Sequence, residues 1–423
     1  MAAPLDQLAQ EIVDHRFKGL PPDAAGLTVG ELAAQRRDFR SGGFTTPLLT
    51  ASAGALEHNV RTLAAFAERH GLALAPHGKT SMAPALFRRQ LDHGAWGITV
   101  AVPHQARVAR AFGVGRIFVA NEVVDRAALS WLAGELDADP AFRCVVYVDS
   151  AVGVALMDAA LREAGATRAL DVVVEWGTPG GRTGARDAES AAAVADAVAR
   201  VATLRLVGVA GYEGEVPAAD ATSVRAWLDQ LVALAVRFDA EGRFGESEEI
   251  VVSAGGSAWF DVLAASFAEL PALSRPVLPM LRAGAYVSHD HGRYRQVTPF
   301  GRVPDEGGLR PAFLLWAQVV SRPEPGLALL NAGKRDIAHD LDLPEVVEVR
   351  AVDGAARATD GLTVARLADQ HAFLVAGDGA EAPAVGEWVA LGMSHPCTIF
   401  DKWPMIPVVD DEGAVVELLR TFF

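Results

Sequence analysis

Residues 72–81 read Leu-Ala-Leu-Ala-Pro-His-Gly-Lys-Thr-Ser, an apolar run that stops at a lysine between glycine and threonine. A lysine placed where a buried strand ends has its ammonium partly desolvated. Desolvation lowers the pKa toward the range in which the free amine is a nucleophile. Lys79 is therefore a candidate for a covalent bond to a carbonyl group, and a surface lysine in an ordinary loop is the alternative.

Seven further apolar runs follow, most of them separated by segments long enough for a helix. The eight runs span residues 72–76, 97–102, 116–120, 143–148, 170–176, 204–211, 249–254 and 277–283. Strands that helices cover on both faces have such continuous apolar sequences. Eight strand-helix units close naturally into a barrel, so we predict an α/β fold, a (β/α)8 barrel of the TIM type. An open doubly wound sheet is the alternative.

Polar and glycine positions concentrate where the predicted strands end. They are Lys79, Asn121-Glu122, Asp149, Glu175 to Arg182, Tyr212 to Gly214, Gly255 to Ser257 and Gly284 to Tyr286. The loops after barrel strands share one rim, so this rim is the predicted site. Residues 253–257, Ser-Ala-Gly-Gly-Ser, end a strand and open a helix, which aims free amides at an anion such as phosphate. A simple turn is the alternative for this segment.

Composition excludes several classes of function. The chain has 423 residues, 51% of them hydrophobic, and a formal net charge of -15, which opposes binding to nucleic acid. Its two cysteines, Cys144 and Cys397, are too few for a disulfide framework. No apolar run reaches the roughly 18 residues that a membrane span needs. We therefore expect a soluble cytoplasmic protein without a membrane partner.

Sequence character changes twice along the chain and predicts three parts. Residues 1–40 read as a helical segment, and residues 41–300 as the barrel. From Phe313 onward the apolar runs are short, and glycine, proline and aspartate interrupt them. This pattern predicts a C-terminal β domain over residues 301–423, with the N-terminal segment packed against it.

The C-terminal part contains the sequence Met393-Ser-His-Pro-Cys397. In an extended chain the imidazole of His395 and the thiolate of Cys397 point the same way, within reach of one ion. That pair of ligands suits zinc. A buried cysteine beside an unrelated histidine is the alternative.

Six segments together resemble the family of D-threonine aldolases and D-serine dehydratases. They are His77-Gly-Lys-Thr80, Ala120-Asn-Glu-Val-Val124, Gly211-Tyr-Glu-Gly214, Ala254-Gly-Gly-Ser257, Leu281-Arg-Ala-Gly-Ala-Tyr286 and Ser394-His-Pro-Cys397, in the order of the family. The resemblance implies the alanine-racemase-like barrel of pyridoxal phosphate enzymes with a C-terminal β domain. It implies that Lys79 carries pyridoxal phosphate and acts as the base at Cα.

The resemblance also implies roles for the other strand-end residues. The phosphate would be held by Gly255, Gly256, Ser257, Gly284, Ala285 and Tyr286. Arg182 would lie near the phenolic oxygen of the cofactor ring, and Tyr212 would line the ring pocket. His395 and Cys397 would bind the metal. Cysteine is typical of the dehydratase branch with zinc, whereas the aldolase branch has aspartate there and prefers manganese or another divalent ion.

These residues predict a lyase for D-β-hydroxy amino acids, most similar to D-serine dehydratase, that eliminates water to give a 2-oxo acid and ammonia. The alternative is retro-aldol cleavage to glycine and an aldehyde, as in D-threonine aldolase. A racemase would need a tyrosine from the β domain, and no tyrosine follows Tyr294. A non-catalytic cofactor carrier would typically be a bare barrel. The resemblance further implies a homodimer.

Overall fold

The computed structural model describes residues 4–217 and 219–423. The helices in this part are α1 Pro4–Ala9, α2 Val29–Ala34, α3 Ala53–Arg69, α4 Pro84–Asp92, α5 Pro103–Ala111, α6 Arg126–Ala138, α7 Ala151–Glu163, α8 Ala188–Val198, α9 Ala221–Ala240, α10 Phe260–Phe267 and α11 Arg293–Val297. The strands in the first 300 residues are β1 Leu48–Ser52, β2 Ala73–Leu74, β3 Ile98–Val100, β4 Arg116–Glu122, β5 Arg143–Val148, β6 Leu170–Trp176, β7 Leu204–Gly211, β8 Ile250–Ala254 and β9 Val277–Leu281. The later strands are β10 Phe313–Glu324, β11 Leu327–Leu330, β12 Glu345–Arg350, β13 Ala356–Arg357, β14 Leu362–Leu367, β15 Ala372–Ala376, β16 Trp388–Gly392, β17 Met405–Val409 and β18 Val415–Arg420.

The strands β2 to β9 form one parallel sheet in the order β2-β9-β8-β7-β6-β5-β4-β3. Its two edges meet, because the Trp96 amide donates to the Leu74 carbonyl at 2.7 Å and the Thr99 amide to the Pro76 carbonyl at 2.8 Å. The sheet therefore curls into a TIM-like barrel. The predicted barrel fold with a C-terminal β domain is confirmed, and all eight predicted runs contain strands of this sheet.

Alternate residues of the barrel strands face the interior. The inward set forms a separate apolar cluster that includes Phe118, Val145, Tyr147, Val173, Val207, Val251 and Met280. The neighbours of these residues point outward and pack against the helices. Residues that continue the inward set at the carboxyl ends of the strands therefore converge at the barrel mouth.

A second sheet contains the C-terminal strands in the order β13-β12-β16-β10-β1-β17-β18, with β11, β15 and β14 continuing from β10. Strand β1 lies inside the range 41–300 that the sequence assigned to the barrel. It nevertheless pairs antiparallel with β10 and parallel with β17. Its apolar sequence suits either sheet, and its partners lie more than 260 residues away along the chain. The predicted domain boundaries stay a prediction. Strand β1, which lies at the start of the range predicted for the barrel, belongs to the sheet of the C-terminal domain.

The N-terminal segment packs on this second sheet, where Phe17 and Leu32 share a buried cluster with Trp316 and Met405. Only α1 and α2 are α-helical in the described part of residues 1–40, and turns fill most of the rest. The glycines and prolines of that segment explain the difference. None of the helices in the described residues has both the length and the apolar composition required to cross a bilayer.

Candidate active site at the barrel mouth

Lys79 lies in a short 3-10 turn, Gly78–Thr80, that follows β2 at the barrel mouth. Gly78 lets this turn pack closely on its neighbours, because a Cβ at this position would approach Phe87 within 2.7 Å and Ile98 within 2.8 Å. Burial lowers the pKa of Lys79, and the nearby charges of Arg182 and Arg282 lower it further. The sequence prediction of a partly desolvated amine at a strand end agrees with this geometry.

The turn that carries His395 and Cys397 packs directly against the lysine turn. The Thr80 hydroxyl oxygen and the Cys397 sulfur are 3.5 Å apart. The tail sheet therefore brings its His-Pro-Cys segment to the barrel mouth of the same chain. Of the predicted site residues, these two are farthest from Lys79 in sequence, and the fold places all three together.

The local conformation of this segment differs from the predicted extended chain. His395 has a left-handed φ of 71°, and Pro396–Thr398 form a 3-10 turn. The pKa of His395 is raised to about 9, mainly by the neighbouring Cys397 and also by Asp340, so the imidazole lies close to both residues.

Two aspartates outside the His395 turn form hydrogen bonds with it. Asp340 bonds to Nδ1 of His395 and accepts a hydrogen bond of 2.7 Å from the Thr398 hydroxyl. A carboxylate on the second nitrogen of a metal-binding histidine fixes the ring and makes it a better ligand. Asp290 accepts hydrogen bonds of 2.8 Å from the backbone amides of His395 and Tyr294.

The predicted phosphate loops come together beside the lysine turn. The Ala285 amide donates to the Ser257 hydroxyl at 3.2 Å, which joins the two loops. Gly284 packs so closely that an added Cβ would lie 2.6 Å from the carbonyl oxygen of His77. The hydroxyl of Tyr286 points elsewhere, since it accepts a hydrogen bond from Gln90 in the helix layer. Only the backbone of Tyr286 is thus available to the predicted cradle.

The backbone amides of Gly255 and Gly256, which were predicted to bind phosphate, donate hydrogen bonds to a buried carboxylate instead. Glu213 accepts from the Gly255 amide at 2.9 Å and from the Gly256 amide at 2.7 Å. The prediction that these two amides hold the phosphate is not supported by this arrangement. The glycines instead let the loop close over Glu213, with Gly255 in the left-handed region at φ 105°.

Arg182 and Tyr212 lie together at the rim. The Arg182 guanidinium stands 5.0 Å from the centre of the Tyr212 ring and pairs with Glu215 at 2.9 Å. Burial and the charge of Glu213 raise the pKa of Tyr212 to about 12. Both residues therefore face the same mouth as Lys79, and Tyr212 stays a neutral phenol near neutral pH.

These groups fit pyridoxal phosphate in three respects. Lys79 offers an amine with a lowered pKa. The Ser257 hydroxyl and the turn of Gly284 and Ala285 form a pocket too tight for an extra Cβ. His77 has an Nδ1 atom that is buried and makes no hydrogen bond within the described residues. The site could thus hold a carbonyl cofactor with an anionic group.

Two known protein families match different parts of the chain. The profile of the family "Alanine racemase, N-terminal domain" matches residues 52–275, which is more than half of the chain. The chain belongs to this family. A second profile, "Putative serine dehydratase domain", matches residues 312–409 of the tail. The predicted group of D-threonine aldolases and D-serine dehydratases on an alanine-racemase-like fold is confirmed.

Known members of this group cover nearly the whole chain. D-threonine aldolase from Arthrobacter sp is 29% identical over 376 residues, which are 88% of this chain and 91% of that protein. The crystal structure of D-threonine aldolase from Filomicrobium marinum has a TM-score of 0.75 and 26% identity, and the match covers 90% of this chain and 95% of that one. D-threo-3-hydroxyaspartate dehydratase from Delftia sp. HT23 shares the fold, with a TM-score of 0.69, 22% identity and coverage of 90% and 98%.

Within this alanine-racemase-like site, sequence reasoning assigned no role to Arg282, Glu213 and Asp340. Arg282 is buried below the mouth, where it donates to the Ser253 hydroxyl at 2.8 Å and to the Gly211 carbonyl. Arg282 and Glu213 were inside segments already noticed, and a charged residue next to a strand end was the available signal. Asp340 lies in an irregular loop, and no periodicity marks it.

Proposed function

We propose that this protein is a lyase that uses pyridoxal phosphate and a divalent metal ion on D-β-hydroxy amino acids. The observation that carries the proposal is the meeting of two turns. The Thr80 hydroxyl oxygen lies 3.5 Å from the Cys397 sulfur, which brings the turn that carries Lys79 against the turn that carries His395 and Cys397. Substrate activation at Cα and at the β-hydroxyl requires such a combination.

Lys79 is proposed to hold the cofactor and to move the proton at Cα. Its lowered pKa leaves more free amine at neutral pH than an exposed lysine has. Pyridoxal phosphate, when bound, supplies an electron sink for the pair of electrons left at Cα. Ser257 and the backbone of Gly284 and Ala285 would bind its phosphate, and Arg182 and Tyr212 would lie beside its ring.

His395 and Cys397 are proposed to bind the metal, which would act as a Lewis acid toward the β-hydroxyl group. Zinc suits an imidazole and a thiolate, and two protein ligands leave positions for substrate. Asp340 would hold the His395 ring in one orientation, while Asp290 holds the backbone of the turn. A manganese or other divalent ion is the alternative occupant.

We propose dehydration to a 2-oxo acid and ammonia as the main reaction, because Cys397 stands at the second metal-ligand position. Retro-aldol cleavage to glycine and an aldehyde is the second candidate. It is favoured by the similarity to D-threonine aldolases along 88% of the chain. The same residues serve both reactions, which differ in whether the hydroxide leaves or the hydroxyl proton is removed.

A homodimer is proposed as the working assembly, in the cytoplasm. Apolar side chains next to the mouth support an assembly, since Val124, Val152 and Leu341 are exposed by 49%, 70% and 53%. The two free cysteines suit a reducing compartment. Light scattering that finds a monomer at micromolar concentration would contradict the dimer.

The experiment is to load the full-length protein with pyridoxal phosphate and zinc and to offer a panel of D-β-hydroxy amino acids. D-serine, D-threonine and D-threo-3-hydroxyaspartate are the central members, and their L-enantiomers are the controls. We expect 2-oxo acid and ammonia from at least one D-substrate and from none of the L-enantiomers. Glycine with an aldehyde would establish the second candidate, and no product from the whole panel would refute the proposal.

A further inference from the structure

Three carboxylates meet at the barrel mouth outside the set of residues used above. Glu122 ends β4, Asp149 follows β5 and Glu175 lies near the end of β6, so they stand on three adjacent strands. One oxygen from each lies within 4.8 Å of the others. Glu175 is two residues beyond the inward-facing Val173, and it therefore points into the barrel.

A bulge in β4 sets the level of Glu122 in the barrel. Val119 pairs with Val146 and Glu122 with Tyr147, so β4 spends three residues where β5 spends one. If the register of Val119 and Val146 continued regularly, Glu122 would pair with Asp149. The bulge instead places Glu122 two residues back, beside the inward-facing Tyr147.

The negative charge of the cluster lacks a counterpart on the protein. Both side-chain oxygens of Glu122 and one of Glu175 are buried without a hydrogen-bond partner in the described ranges. Asp149 accepts a hydrogen bond of 3.2 Å from the Gly184 amide, and no lysine, arginine or histidine of the described ranges forms an ion pair with the three carboxylates. Like charges in a partly buried site repel strongly, so something positive must offset them.

Tyr147 gives an independent sign of a missing partner. Its side chain is 2% exposed and belongs to the inward set directly below the carboxylates. Its hydroxyl makes no hydrogen bond to any described residue. The charges of Glu175 and Glu122 help to raise its pKa, which places the hydroxyl near both. A buried phenol without a partner is rare and points to a bound species that completes it.

The buried cation Arg282 makes its hydrogen bonds elsewhere. Arg282 uses its guanidinium on the Ser253 hydroxyl and the Gly211 carbonyl. It also stacks over Phe118 at 5.2 Å and Tyr147 at 5.6 Å. Its charge reaches Glu175 but makes no ion pair with it, and so the three carboxylates still need a ligand of their own.

We propose that Glu122, Asp149 and Glu175 bind a divalent cation of the oxygen-preferring class, such as calcium or magnesium. The three oxygens lie within 4.8 Å of one another, which is close enough for one calcium or magnesium ion to contact all three. This site is chemically distinct from His395 and Cys397, whose nitrogen and sulfur prefer zinc. The inference does not depend on the proposed lyase reaction.

A shared proton is the competing way to offset the charge. Burial and the charge of Glu175 raise the pKa of Glu122 to about 9 when no cation is bound. A proton held between Glu122 and Glu175 would relieve one charge out of three. The cation and the proton exclude each other, so a metal titration decides between them.

The test is calorimetric titration of calcium into full-length protein saturated with zinc, near pH 8. We expect one calcium ion per chain in the wild type. Asp149→Asn should weaken binding at least tenfold, and Glu122→Gln with Asp149→Asn should abolish it. Glu163→Gln, which changes an exposed carboxylate on α7, is the matched control and should bind like the wild type.

Thermal unfolding keeps the test valid if a variant is poorly stable. Calcium should raise the Tm of the wild type and of Glu163→Gln, and leave that of the double variant unchanged. Without calcium, the double variant should be at least as stable as the wild type, because it removes charge repulsion. The absence of any calcium heat and Tm shift in the wild type, or calcium binding that survives the double substitution, would overturn the proposal.

Discussion

The reactivity of this site begins with one amine. Lys79 stands in a 3-10 turn where burial lowers its pKa, and two arginines contribute. We expect Lys79→Ala to lose the visible absorbance of bound pyridoxal phosphate, because no other lysine occupies the mouth in the described residues. Spectra of protein passed through a desalting column after incubation with the cofactor measure this. Lys402→Ala, on the tail domain, is the control and should retain the absorbance.

Cys397 is the proposed thiolate ligand of zinc, and the other cysteine, Cys144, provides a control. Cys397→Ala should keep the cofactor but lose bound zinc and most turnover. Cys144→Ala changes a cysteine of β5 that is 1% exposed and belongs to the apolar cluster between the barrel strands and the helices. It should retain zinc and activity. Metal analysis of the purified variants gives the readout, and full zinc occupancy in Cys397→Ala would refute the assigned ligand.

Zinc affinity should depend on pH through His395. Its pKa in the metal-free protein is raised to about 9, so the proton must leave before the nitrogen can bind the ion. Affinity should therefore rise at least about tenfold per pH unit between about pH 7 and pH 8.5, once the chelator's own pH dependence is subtracted, because zinc also requires Cys397 as the thiolate. Asp340→Asn removes one cause of the raised pKa and should make this dependence shallower. A pH-independent affinity would contradict the assignment.

At the level of elements, short turns rather than helices position the chemistry. The lysine turn, the His395 turn and the turn after β9 each span only a few residues. Neighbouring carboxylates hold the His395 turn and the loop after β8 in place. Asp290 receives the His395 amide, and Glu213 receives the amides of Gly255 and Gly256. Such turns can bring residues from remote parts of the chain within contact distance.

Substitution in the cradle turn tests its tight packing. Gly284→Ala would place a Cβ 2.6 Å from the backbone of His77, which cannot move without shifting the lysine strand. We expect a loss of about 1–3 kcal/mol in stability and at least tenfold weaker cofactor binding. Gly301→Ala, where no heavy atom lies within 4 Å, should behave like the wild type. Cofactor titration and thermal unfolding measure the two effects.

The whole molecule is built on two sheets, and the C-terminal one includes a strand from the start of the chain. Strand β1 precedes the barrel and lies in the tail sheet, where Leu48, Leu49 and Ala51 are fully buried. A chain shortened to residues 1–300 should lose most of its soluble yield, because β1 then has no partners. Co-expression of residues 301–423 should restore part of it. A soluble, folded barrel from residues 1–300 alone would show that this pairing is dispensable.

Periodicity and strand-end residues were enough to predict the barrel, because these signals are local to the sequence. The end of a predicted strand also singled out Lys79, and the family resemblance singled out His395 and Cys397. The roles of these three residues stay predictions. The use of the Gly255 and Gly256 amides by Glu213 was not predictable, nor was the support of His395 by Asp340. Both contacts join segments that are separated by about 40 or more residues and follow no repeat. The placement of β1 in the tail sheet and the cluster of three carboxylates likewise arise from the order of the strands in the sheets. A linear pattern shows which face a residue takes, and only the folded chain fixes which other residues share that space.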